Sequence, residues 1–595
     1  MILILGGTTE GRKAVAVADE AGHPFYYSTL HDFQQVESKN GVHVSGQLDA
    51  QRMRQFCEEH GIKLIVDAAH PFAVGLHATT AEVGEGLGIP VVRFERRYPP
   101  RNKNLIYCDD YADAVQKMQA DGVGRLLALT GVQTIGKLRE FWSGRETWFR
   151  ILNREDSREK ALKQGFDSQR LVYYDDKEPE GELFARIKPD AIITKESGES
   201  GGFAEKVKAA LDLGIKVYVV KRPELPASFI TVDGEFGLRK QIERLLPGYF
   251  KLRSGFTTGA CATAAARAAL IALMSGEEPR EVLITIPNGE RLPLSIESVV
   301  IGDDSATATV VKDAGDDPDV TNGCHVRVAV RLNDCNEIRF FGGEGIGTVT
   351  LPGLGLEVGQ PAINPMPRKM IGEELAKIYE GGVDVTVSIP EGVDLAEKTF
   401  NPRVGVVGGI SVIGTLGVVR PFSHEAFIET IRRQLDVCLA LGIDTVVFNS
   451  GAKSEKMVRA MYPDIPSQAF IHYGNAIGEA LKLAADMGVR HVIIGLMIGK
   501  AVKLAEGNLD THSHNVTMNR AFIAELATES GCSAAALKTI HGLNLARQLW
   551  TELRASDSAL LLPAILKRCA AVCTTVYPYT LTPLLISEAG QVVKL

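Results

Sequence analysis

The sequence predicts an α/β protein: a two-halved, doubly wound (Rossmann-like) N-terminal region, then an α+β region and a second α/β region. Short apolar strands at residues 2–5 and 63–67 each end in a polar or Gly-containing turn, and the pattern restarts at 125–129. From residue 252 onward, Val/Ile/Thr strands alternate with Ala- and Gly-rich turns. Ligands of doubly wound sheets bind outside the carboxyl ends of the strands, so we look for sites there.

The length of 595 residues indicates several domains, because about 150 residues is an ordinary domain size. We predict two α/β halves, residues 1–115 and 116–248, then an α+β domain, 249–400, and an α/β domain, 401–595. The main boundary is placed at Pro247-Gly248, where a helical stretch ends.

Charge and cysteine content argue against several classes of protein. The 65 basic and 73 acidic residues give a net charge of −8, which does not suit a nucleic-acid-binding protein. The nine cysteines contain no C-x-x-C pair, so we expect neither a structural zinc site nor a disulfide framework. We see no run of 18 apolar residues and no basic leader, and therefore expect a cytoplasmic protein without a membrane partner. The sequence leaves the oligomeric state open.

The turn after the first strand is the first candidate cofactor site. Glycine lets the backbone approach a pyrophosphate, and a helix N-terminus favours negative charge. The predicted cofactor-binding residues here are Gly6, Gly7, Thr8, Glu10 and Gly11. The spacing is not G-x-G-x-x-G, so a plain tight turn is the alternative. Ser28-Thr29 stand where an acid would bind a ribose 2′-hydroxyl, which favours NADPH, with NADH as the alternative.

Strand ends in both halves carry further candidates for this site. We predict that Gly131, Ser197 and Gly198 bind the cofactor, since they lie in turns that follow strands. Lys195 can meet an anionic substrate or cofactor, and a solvated loop lysine is the alternative. His70, between a strand and Pro71, can donate a proton, and a structural histidine is the alternative.

The second region opens with small hydroxyl residues before an Ala-rich helix at 260–273. The hydroxyls of Thr257 and Thr258, with the free N–H groups of the helix, suit a carboxylate. Cys261 could be considered as a nucleophile. No histidine neighbours it in sequence, so a small buried cysteine is the preferred interpretation.

Residues 312–321 are dense in acids. We predict that Asp316 and Asp317 act in proton transfer or in ammonium recognition. A magnesium site is the rival, but Gly315 and Pro318 oppose the helix that would place the acids on one face. A polar turn is the remaining alternative.

Two later segments complete the candidates. Residues 403–417 form the most nucleotide-like crevice of the second region, and its predicted cofactor-binding residues are Gly408, Gly409, Ser411, Gly414 and Thr415. Thr511-His512-Ser513-His514-Asn515 places two histidines close together, too few ligands for a metal site. We therefore predict that His512 lines a polar pocket or contacts substrate, with a zinc ligand as the alternative, and that the protein holds no metal of its own.

The ordered motifs of the first region resemble a known family. G-G-T-x-E-G at the N-terminus, D-A-x-H-P-F-A at 67–73, T-G at 130–131, T-K-x-S-G at 194–198 and R-P at 222–223 occur in this order. Residues 1–246 thereby resemble cobalt-precorrin-6A reductase. The resemblance implies hydride transfer from a nicotinamide to a double bond of a corrin precursor, in a cleft between the two halves.

The second region resembles cobalt-precorrin-5B C1-methyltransferase over residues 251–595. The motifs are R-S-G-F-T-T-G-A-C-A, K-D-A-G-D-D-P-D-V-T-x-G, the G-G-x-G-x-G-x-V-T turn, A-I-N-P at 362–365, V-G-G-I-S-x-I-G-T at 407–415 and T-H-S at 511–513. The resemblance implies methyl transfer from S-adenosylmethionine to C1 of a cobalt-containing tetrapyrrole, with cobalt entering bound in the substrate. The substrate carries many carboxylates, so Arg253, Lys312, Arg368 and Lys369 are candidate clamps, with exposed solubilising cations as the alternative.

The two resemblances together predict a bifunctional enzyme, because the product of the methyltransferase is the substrate of the reductase. Joining the two steps in one chain would raise the local concentration of the intermediate. Two alternatives stay open: one half has lost activity, or the chain is a non-catalytic carrier of corrinoid intermediates. The Gly turns at both cofactor sites argue against the carrier.

Overall fold

The computed structural model describes residues 1–32, 36–175, 177–512 and 517–595, with Ser200 described by its backbone alone. The chain forms two compact units, Met1–Leu252 and Arg253–Leu595. The first unit thus extends past the boundary predicted at Pro247-Gly248. The reason is that Tyr249 and Phe250 pack back onto it: the Tyr249 hydroxyl donates to the carbonyl of Ala18, and the Arg239 guanidinium lies 4.0 Å from the Phe250 ring centre.

The first unit alternates strands and helices, as its sequence predicts. Its strands are β1 (Ile2–Leu5), β2 (Phe25–Thr29), β3 (Gly41–Ser45), β4 (Leu64–Asp67), β5 (Val91–Phe94), β6 (Ile106–Cys108), β7 (Arg125–Ala128), β8 (Glu146–Ile151), β9 (Leu171–Tyr173), β10 (Ala191–Lys195), β11 (Lys216–Val220) and β12 (Ile230–Val232). Its α-helices are α1 (Thr9–Asp19), α2 (Ala50–Glu59), α3 (Val74–Leu87), α4 (Tyr111–Ala120), α5 (Arg139–Trp142), α6 (Glu155–Lys163), α7 (Glu180–Ile187), α8 (Phe203–Asp212) and α9 (Glu235–Leu245).

Two parallel six-stranded sheets form this unit. The first has the order β12-β5-β4-β1-β2-β3 and the second β6-β11-β10-β7-β8-β9. Both are doubly wound, with switch points between β1 and β4 and between β7 and β10. The central strands β1 and β4 are buried along their whole length, as expected of strands covered by helices on both faces.

The sheets do not divide the chain where the sequence predicts. β6 already belongs to the second sheet, so that sheet begins before residue 116. β12 returns to the first sheet, pairing in parallel with β5, and α9 packs beside α1. The halves therefore interlock, which no local signal indicates because the pairing of an edge strand depends on distant residues.

The second unit mixes short antiparallel strands with a helical layer. Its strands are β13 (Gly255–Phe256), β14 (Glu281–Thr285), β15 (Arg291–Ser295), β16 (Ser298–Ile301), β17 (Ser305–Val311), β18 (His325–Asn333), β19 (Ile338–Gly342), β20 (Thr348–Val349), β21 (Gly382–Ser388), β22 (Val406–Val407), β23 (Val418–Val419), β24 (Thr445–Asn449), β25 (Phe470–His472), β26 (His491–Met497), β27 (Thr580–Ile586) and β28 (Val592–Lys594). Its α-helices are α10 (Thr258–Ser275), α11 (Pro365–Ala376), α12 (Gly392–Ala396), α13 (His424–Ala440), α14 (Ala452–Met461), α15 (Ile477–Asp486), α16 (Ile498–Ala505), α17 (Arg520–Glu529), α18 (Ala534–Gly542) and α19 (Ala555–Thr574).

The largest sheets of the second unit have five strands each. One has the order β16-β17-β18-β21-β19 and is antiparallel except for β19 beside β21; the other, β25-β24-β26-β27-β28, is parallel up to its antiparallel edge strand β28. Helix α10 packs against β17 and β18. It is long and apolar enough to span a membrane, but 72% of it is buried inside the fold, so we assign it as a core helix.

The predicted boundary at residue 401 also moves. β22 pairs with β20, and β23 pairs with β13, so the segment up to residue 419 belongs with the α+β part. The last α/β part begins at α13. The Gly-rich segment at 403–417 is thus not the strand-turn-helix opening of a doubly wound sheet.

Candidate functional site

The glycine turn after β1 lies at the first switch point, and packing accounts for two of its glycines. A Cβ on Gly6 would lie 2.2 Å from the Tyr27 ring, and one on Gly11 would lie 2.9 Å from the Gly6 Cα. The Tyr27 hydroxyl accepts a hydrogen bond from the Gly7 amide at 2.9 Å. Gly7 itself has φ 87°, a left-handed conformation that glycine adopts without strain.

Thr8 begins helix α1 and ties it to the end of β4. Its Oγ1 accepts from the Gly11 amide at 3.0 Å and donates to the carbonyl of Ala68 at 2.6 Å. Both bonds are buried, so the hydroxyl predicted to bind cofactor is already engaged. Helix α1 still presents its N-terminus at the carboxyl edge of the sheet, where an anion is favoured.

Glu10 is predicted to bind cofactor, but its side chain is buried in an ion pair. The Arg96 Nε donates to Glu10 Oε2 at 3.0 Å, and Arg96 Nη1 donates to the carbonyl of Ser197 at 3.0 Å. Both charged side chains are 7% exposed. The carboxylate is therefore a structural partner of Arg96, which in turn joins the loops of the two sheets.

His70 lies in the loop between β4 and α3. Its Nδ1 accepts a hydrogen bond from the Phe72 amide at 3.2 Å. Burial, together with the charges of Arg96 and Lys195, lowers the pKa of His70 to about 3. The ring is therefore neutral with its proton on Nε2, which can donate a hydrogen bond.

A buried ionic network fixes the loop that carries His70. The Asp67 carboxylate lies 2.5 Å from His77 Nδ1 and 3.0 Å from Arg93 Nη1, and His77 Nε2 lies 3.1 Å from the carbonyl of His70. Burial acts to raise the pKa of Asp67, but the His77 hydrogen bond and the Arg93 charge outweigh it and hold that pKa below its usual value. The network was not predicted from the sequence, although the D-A-x-H-P-F-A motif contains its first member.

Lys195 ends β10 at the second switch point. Its Nζ lies 5.3 Å from the centre of the Phe72 ring, which places it beside the His70 loop. Burial, with the nearby Lys137 and Lys206, lowers the pKa of Lys195 to about 8. No carboxylate of the residues that the structure describes lies within ion-pair distance of this amine, so it is poised to meet an anion.

The other predicted cofactor residues of this unit occupy the same edge. Gly131 has φ 82° and open space where a Cβ would stand, while Gly198 has φ 70° and its Cβ would lie 2.7 Å from the Arg97 carbonyl. Ser197 is buried. The structure thus brings the candidates of both halves to facing switch points, with Arg96 and Lys195 between them.

In the second unit, the opening motif packs against the 413–417 segment. The Gly259 amide donates to the Ile413 carbonyl at 2.8 Å, and the Thr257 amide donates to the Gly417 carbonyl at 3.1 Å. A Cβ on Gly414 would lie 2.3 Å from Thr257 Oγ1. Gly414 is therefore needed for this contact, which offers a packing reason in place of the predicted cofactor contact.

The two threonines at the start of α10 differ in exposure. Thr257 caps the helix, its Oγ1 accepting from the Ala260 amide at 3.2 Å, and is half-buried. Thr258 is 2% exposed, so its side chain does not reach the surface where a substrate carboxylate was predicted. Cys261 follows in the same core, and burial raises its thiol pKa to about 12, which agrees with a structural cysteine.

The acid-dense segment joins three loops through backbone hydrogen bonds. Asp316 Oδ2 accepts from the Arg253 amide at 2.7 Å, and Asp317 Oδ1 accepts from the Phe422 amide at 3.0 Å. Gly315 has φ 68°, and its Cβ would lie 2.2 Å from the Arg253 carbonyl. In the structure, both carboxylates accept hydrogen bonds from backbone amides. Roles of Asp316 and Asp317 in proton transfer or ammonium recognition stay a prediction.

Lys312 was predicted to clamp a substrate carboxylate, and the structure contradicts this. The side chain is 2% exposed, and its Nζ donates to Asp319 Oδ2 and to Thr321 Oγ1, both at 2.5 Å. Burial acts to raise the pKa of Asp319, but the Lys312 charge holds it below its usual value. Lys312 is an internal partner of its own loop.

Arg368 is likewise engaged inside the fold. Its Nε donates to the Ile363 carbonyl at 2.7 Å, its Nη2 donates to the Pro361 carbonyl at 3.2 Å, and burial lowers its pKa. Arg253, by contrast, keeps 55% of its side chain exposed beside Asp313 and Asp316. Of the four predicted clamps, Arg253 and Lys369 lie at the surface, Lys369 with 64% of its side chain exposed and 3.8 Å from Glu373.

The predicted crevice at 403–417 is largely closed by backbone packing. A Cβ on Gly409 would lie 2.3 Å from the Gly345 carbonyl oxygen, so these two turns interlock, whereas Gly408 has φ 82° and open space. Ser411 is half-buried. Thr415 is exposed, and Arg433 Nη2 lies 3.5 Å from its hydroxyl.

His512 lies at the carboxyl edge of the last sheet. It is exposed, and its amide donates to Asp510 Oδ1 at 2.9 Å. The preceding Thr511 donates to the Asn475 carbonyl, three residues after β25. Ser513, His514 and Asn515 of the same motif lie outside the described residues. Within the described ranges, no group of three or more His, Cys, Asp or Glu could hold a metal ion.

Some residues at these sites were not predicted from the sequence. Asp32 follows β2 and lies 3.6 Å from His43, so an acid does stand near the position where a ribose-binding acid is expected. Glu455 is buried between Arg403 and His472, which fixes the 400–405 loop to α14. Phe422 is exposed with φ 55°. Their partners are distant in sequence, so spacing gives no signal for them.

Family models match both parts of the chain. Residues 1–236 match the model described as Precorrin-6x reductase CbiJ/CobK. Residues 247–421 match the model described as CbiD, and residues 510–594 match that described as CbiD, C-terminal domain. Both family resemblances predicted from the motifs are confirmed.

Curated relatives match at high identity. The cobalt-precorrin-5B C(1)-methyltransferase of Prosthecochloris aestuarii is 47% identical over 337 residues, covering 55% of this chain and 91% of the relative. That of Thermus thermophilus is 44% identical over 296 residues, covering 50% of this chain and 80% of the relative.

Solved structures resemble each part of the chain. The CobK precorrin-6A reductase structure is 20% identical and covers 42% of this chain and 98% of its own length, with a TM-score of 0.35. The cobalamin biosynthesis protein (cbiD) of Archaeoglobus fulgidus is 28% identical and covers 47% of this chain and 85% of its own length, with a TM-score of 0.24. The strand order and pairing of the sheets confirm the predicted fold class, parallel sheets followed by an α+β region.

Proposed function

This chain belongs to the cobalt-precorrin-5B C(1)-methyltransferase family, and from that premise we propose that its second unit methylates C1 of cobalt-precorrin-5B with S-adenosylmethionine as donor. The chain is a bifunctional enzyme of cobalamin biosynthesis, because residues 1–236 add a reductase module. We propose that this module reduces the methylated product with NADPH. The observation that carries the proposal is the presence of both modules in one chain.

The methyltransferase reaction asks the protein mainly to align two reactants. When bound, S-adenosylmethionine supplies an electrophilic methyl group, which an electron-rich ring carbon of the substrate can attack. We propose that Arg253, exposed beside the start of α10, holds a substrate carboxylate. The residues that fit the donor are those of the 407–415 turn that packing leaves open: Gly408 has open space beside it, and Thr415 is exposed.

We propose that the reductase site lies at the facing switch points of the first unit. When bound, the nicotinamide supplies the hydride. The N-terminus of α1, with Gly7, and the turn at Gly131 fit a dinucleotide, since each offers a left-handed glycine at a strand end. Lys195 supplies a positive charge, and the neutral His70 offers its Nε2 proton as a hydrogen-bond donor.

The preference for NADPH rests on the end of β2. Ser28 and Thr29 are buried, and the Thr29 hydroxyl is engaged by the His31 carbonyl and the His43 ring, so neither would touch a 2′-phosphate. Asp32 is exposed nearby. NADPH stays the proposal only because no acid ends the strand itself, and the exposed Asp32 beyond the strand is the reason that NADH is the alternative.

Substitution of Gly7 separates the two activities. Gly7→Asp places a negative side chain in the turn proposed to receive the cofactor phosphates, so reduction should fall at least tenfold while methyl transfer is retained. Gly22→Asp is the matched control, because Gly22 also has positive φ and has open space where a Cβ would stand. Equal loss of reduction in both variants, or loss of methyl transfer in Gly7→Asp, would contradict the assignment.

A further inference from the structure

Phe422 has an unusual backbone and an unusual exposure. Its φ is 55°, in the left-handed region that bulky side chains rarely adopt. Its side chain is 70% exposed, the most exposed of the large hydrophobic side chains in the described part of the chain. A strained, solvent-exposed aromatic ring indicates a function in binding when no folding role accounts for it.

The start of the neighbouring helix does not account for this conformation. Ser423 caps α13 through its own hydroxyl, which accepts from the Ala426 amide at 3.2 Å. Phe422 and Phe427 occupy the positions of a hydrophobic staple. Phe427, however, lies against Gly474, and Phe422 stays in solvent. The helix begins without help from the Phe422 ring.

Asp317 holds Phe422 in place. The Phe422 amide donates to Asp317 Oδ1 at 3.0 Å. Asp317 is itself fixed, because Asp316 bonds the Arg253 amide and Gly315 packs on the Arg253 carbonyl. The acid-dense segment, which these contacts fix, thus holds the backbone that carries the exposed ring.

The segment that leads to Phe422 carries exposed apolar and cationic side chains. On the same segment, Ile413 is 42% exposed and Leu416 is 54% exposed. This segment is tied to the start of α10 by the β13–β23 pairing. The register of this pairing, with Gly255 opposite Val419, sets the exposed Arg253 beside the same end of the segment as the exposed Arg420. Exposed apolar side chains on one segment, with two cations at the end next to Phe422, complement a flat macrocycle whose periphery carries carboxylates.

We propose that Phe422 binds the tetrapyrrole substrate by stacking its ring on the macrocycle, and that Asp317 is the positioning residue that presents it. The assignment rests on the proposed function, since it takes the substrate of the second unit to be a cobalt tetrapyrrole. In this assignment Asp317 acts by accepting the hydrogen bond from the Phe422 amide. Proton transfer by the Asp317 carboxyl is not required.

The first test removes the ring. Full-length protein is titrated anaerobically with cobalt-precorrin-5B, and binding is followed by the change in tetrapyrrole absorbance. Phe422→Ala should weaken binding about tenfold or more and raise the KM for tetrapyrrole, with the KM for S-adenosylmethionine unchanged. Phe422→Tyr should bind within a factor of about two of wild type. Phe341→Ala, which removes another exposed phenylalanine from β19, is the matched control and should bind as wild type does.

A glycine variant separates binding from folding. Phe422→Gly relieves the left-handed backbone, so its Tm should equal or exceed that of the wild type while binding is weakened as in Phe422→Ala. Loss of Tm together with loss of binding would mean that the ring serves the fold, and would overturn the proposal. Unchanged binding in either variant would also overturn it.

The second test concerns Asp317. Asp317→Asn keeps an oxygen acceptor for the Phe422 amide, so kcat at saturating tetrapyrrole should stay within a factor of about three. Asp317→Ala should raise the KM for tetrapyrrole as Phe422→Ala does. Loss of kcat in Asp317→Asn would overturn the positioning role. If wild-type protein binds tetrapyrrole through Phe422 but transfers no methyl group, the proposed function fails and the binding assignment stands.

Discussion

The Glu10 carboxylate and the Arg96 guanidinium form a buried ion pair at 3.0 Å, and Arg96 also reaches the carbonyl of Ser197 at 3.0 Å. One side chain therefore joins helix α1 of the first sheet to the loop after β10 of the second. The predicted cofactor residues Glu10 and Ser197 meet at Arg96, which was not among the predicted site residues. The pair fixes how the two switch points face each other.

Glu10→Ala should lower the free energy of unfolding by about 3–5 kcal/mol, because it leaves the Arg96 charge buried without a partner. Denaturant unfolding of the full chain measures the change. Glu159→Ala removes an exposed helical ion pair with Lys163 and should cost at most about 0.5 kcal/mol. Equal stability losses in the two variants would contradict a buried structural role for Glu10.

The neutral state of His70 predicts a pH dependence of stability. Its pKa falls from 6.5 to about 3 in the folded protein, so between these values the unfolded chain binds a proton that the folded chain does not. The free energy of unfolding therefore declines as pH falls below 6.5, by up to about 1.4 kcal/mol per pH unit. His70→Gln should remove this part of the slope. The comparison is made from about pH 5 to about pH 7, a range that contains the ordinary histidine pKa. Parallel slopes for wild type and variant in this range would contradict burial of a neutral ring.

Lys195 predicts a pH dependence of binding. With a pKa lowered to about 8, its amine is charged at neutral pH and loses the charge as pH rises through that value. The KM of the anionic ligand that it contacts should rise at least threefold above this pKa. Lys195→Arg keeps the charge and should abolish the rise. Comparing the KM for tetrapyrrole with that for NADPH identifies the ligand, and a flat profile for both would exclude the contact.

Because Lys312 is buried in an ion pair, we expect its substitution to lower the stability of the protein. Substitution of a lysine that clamps the substrate would instead lower the affinity for tetrapyrrole. Lys312→Met leaves Asp319 without its partner and should lower the free energy of unfolding by about 3 kcal/mol. The double variant Lys312→Met/Asp319→Asn should recover part of the loss, since no unpaired charge is left. Unchanged stability with a raised KM for tetrapyrrole would restore the clamp.

The sequence predicted the strand ends well because each is marked locally. β1 is followed at once by Gly6 and Gly7, and β10 ends at Lys195, so these residues are found at switch points as expected. The motif strings also identified both families. These signals depend on residues that are adjacent in sequence, so they can be recognised without the structure.

Partners distant in sequence could not be predicted. Gly409 reads as a ligand-binding glycine, yet its close neighbour is the Gly345 carbonyl oxygen. Lys312 reads as a surface clamp, because only the folded loop shows Asp319 and Thr321 enclosing it. β12 joins the first sheet although it follows the whole second sheet in the chain. In each case tertiary packing decides the role.

The central claim is that one chain methylates and then reduces the same tetrapyrrole. The most direct test incubates the full-length protein anaerobically with cobalt-precorrin-5B, adds S-adenosylmethionine and then NADPH, and follows the mass of the tetrapyrrole. We predict a gain of one methyl group that requires the first addition, then a gain of two hydrogens that requires the second. If the tetrapyrrole gains no methyl group after the first addition, the account of a bifunctional enzyme is contradicted. If it gains no two hydrogens after the second addition, the account is contradicted as well.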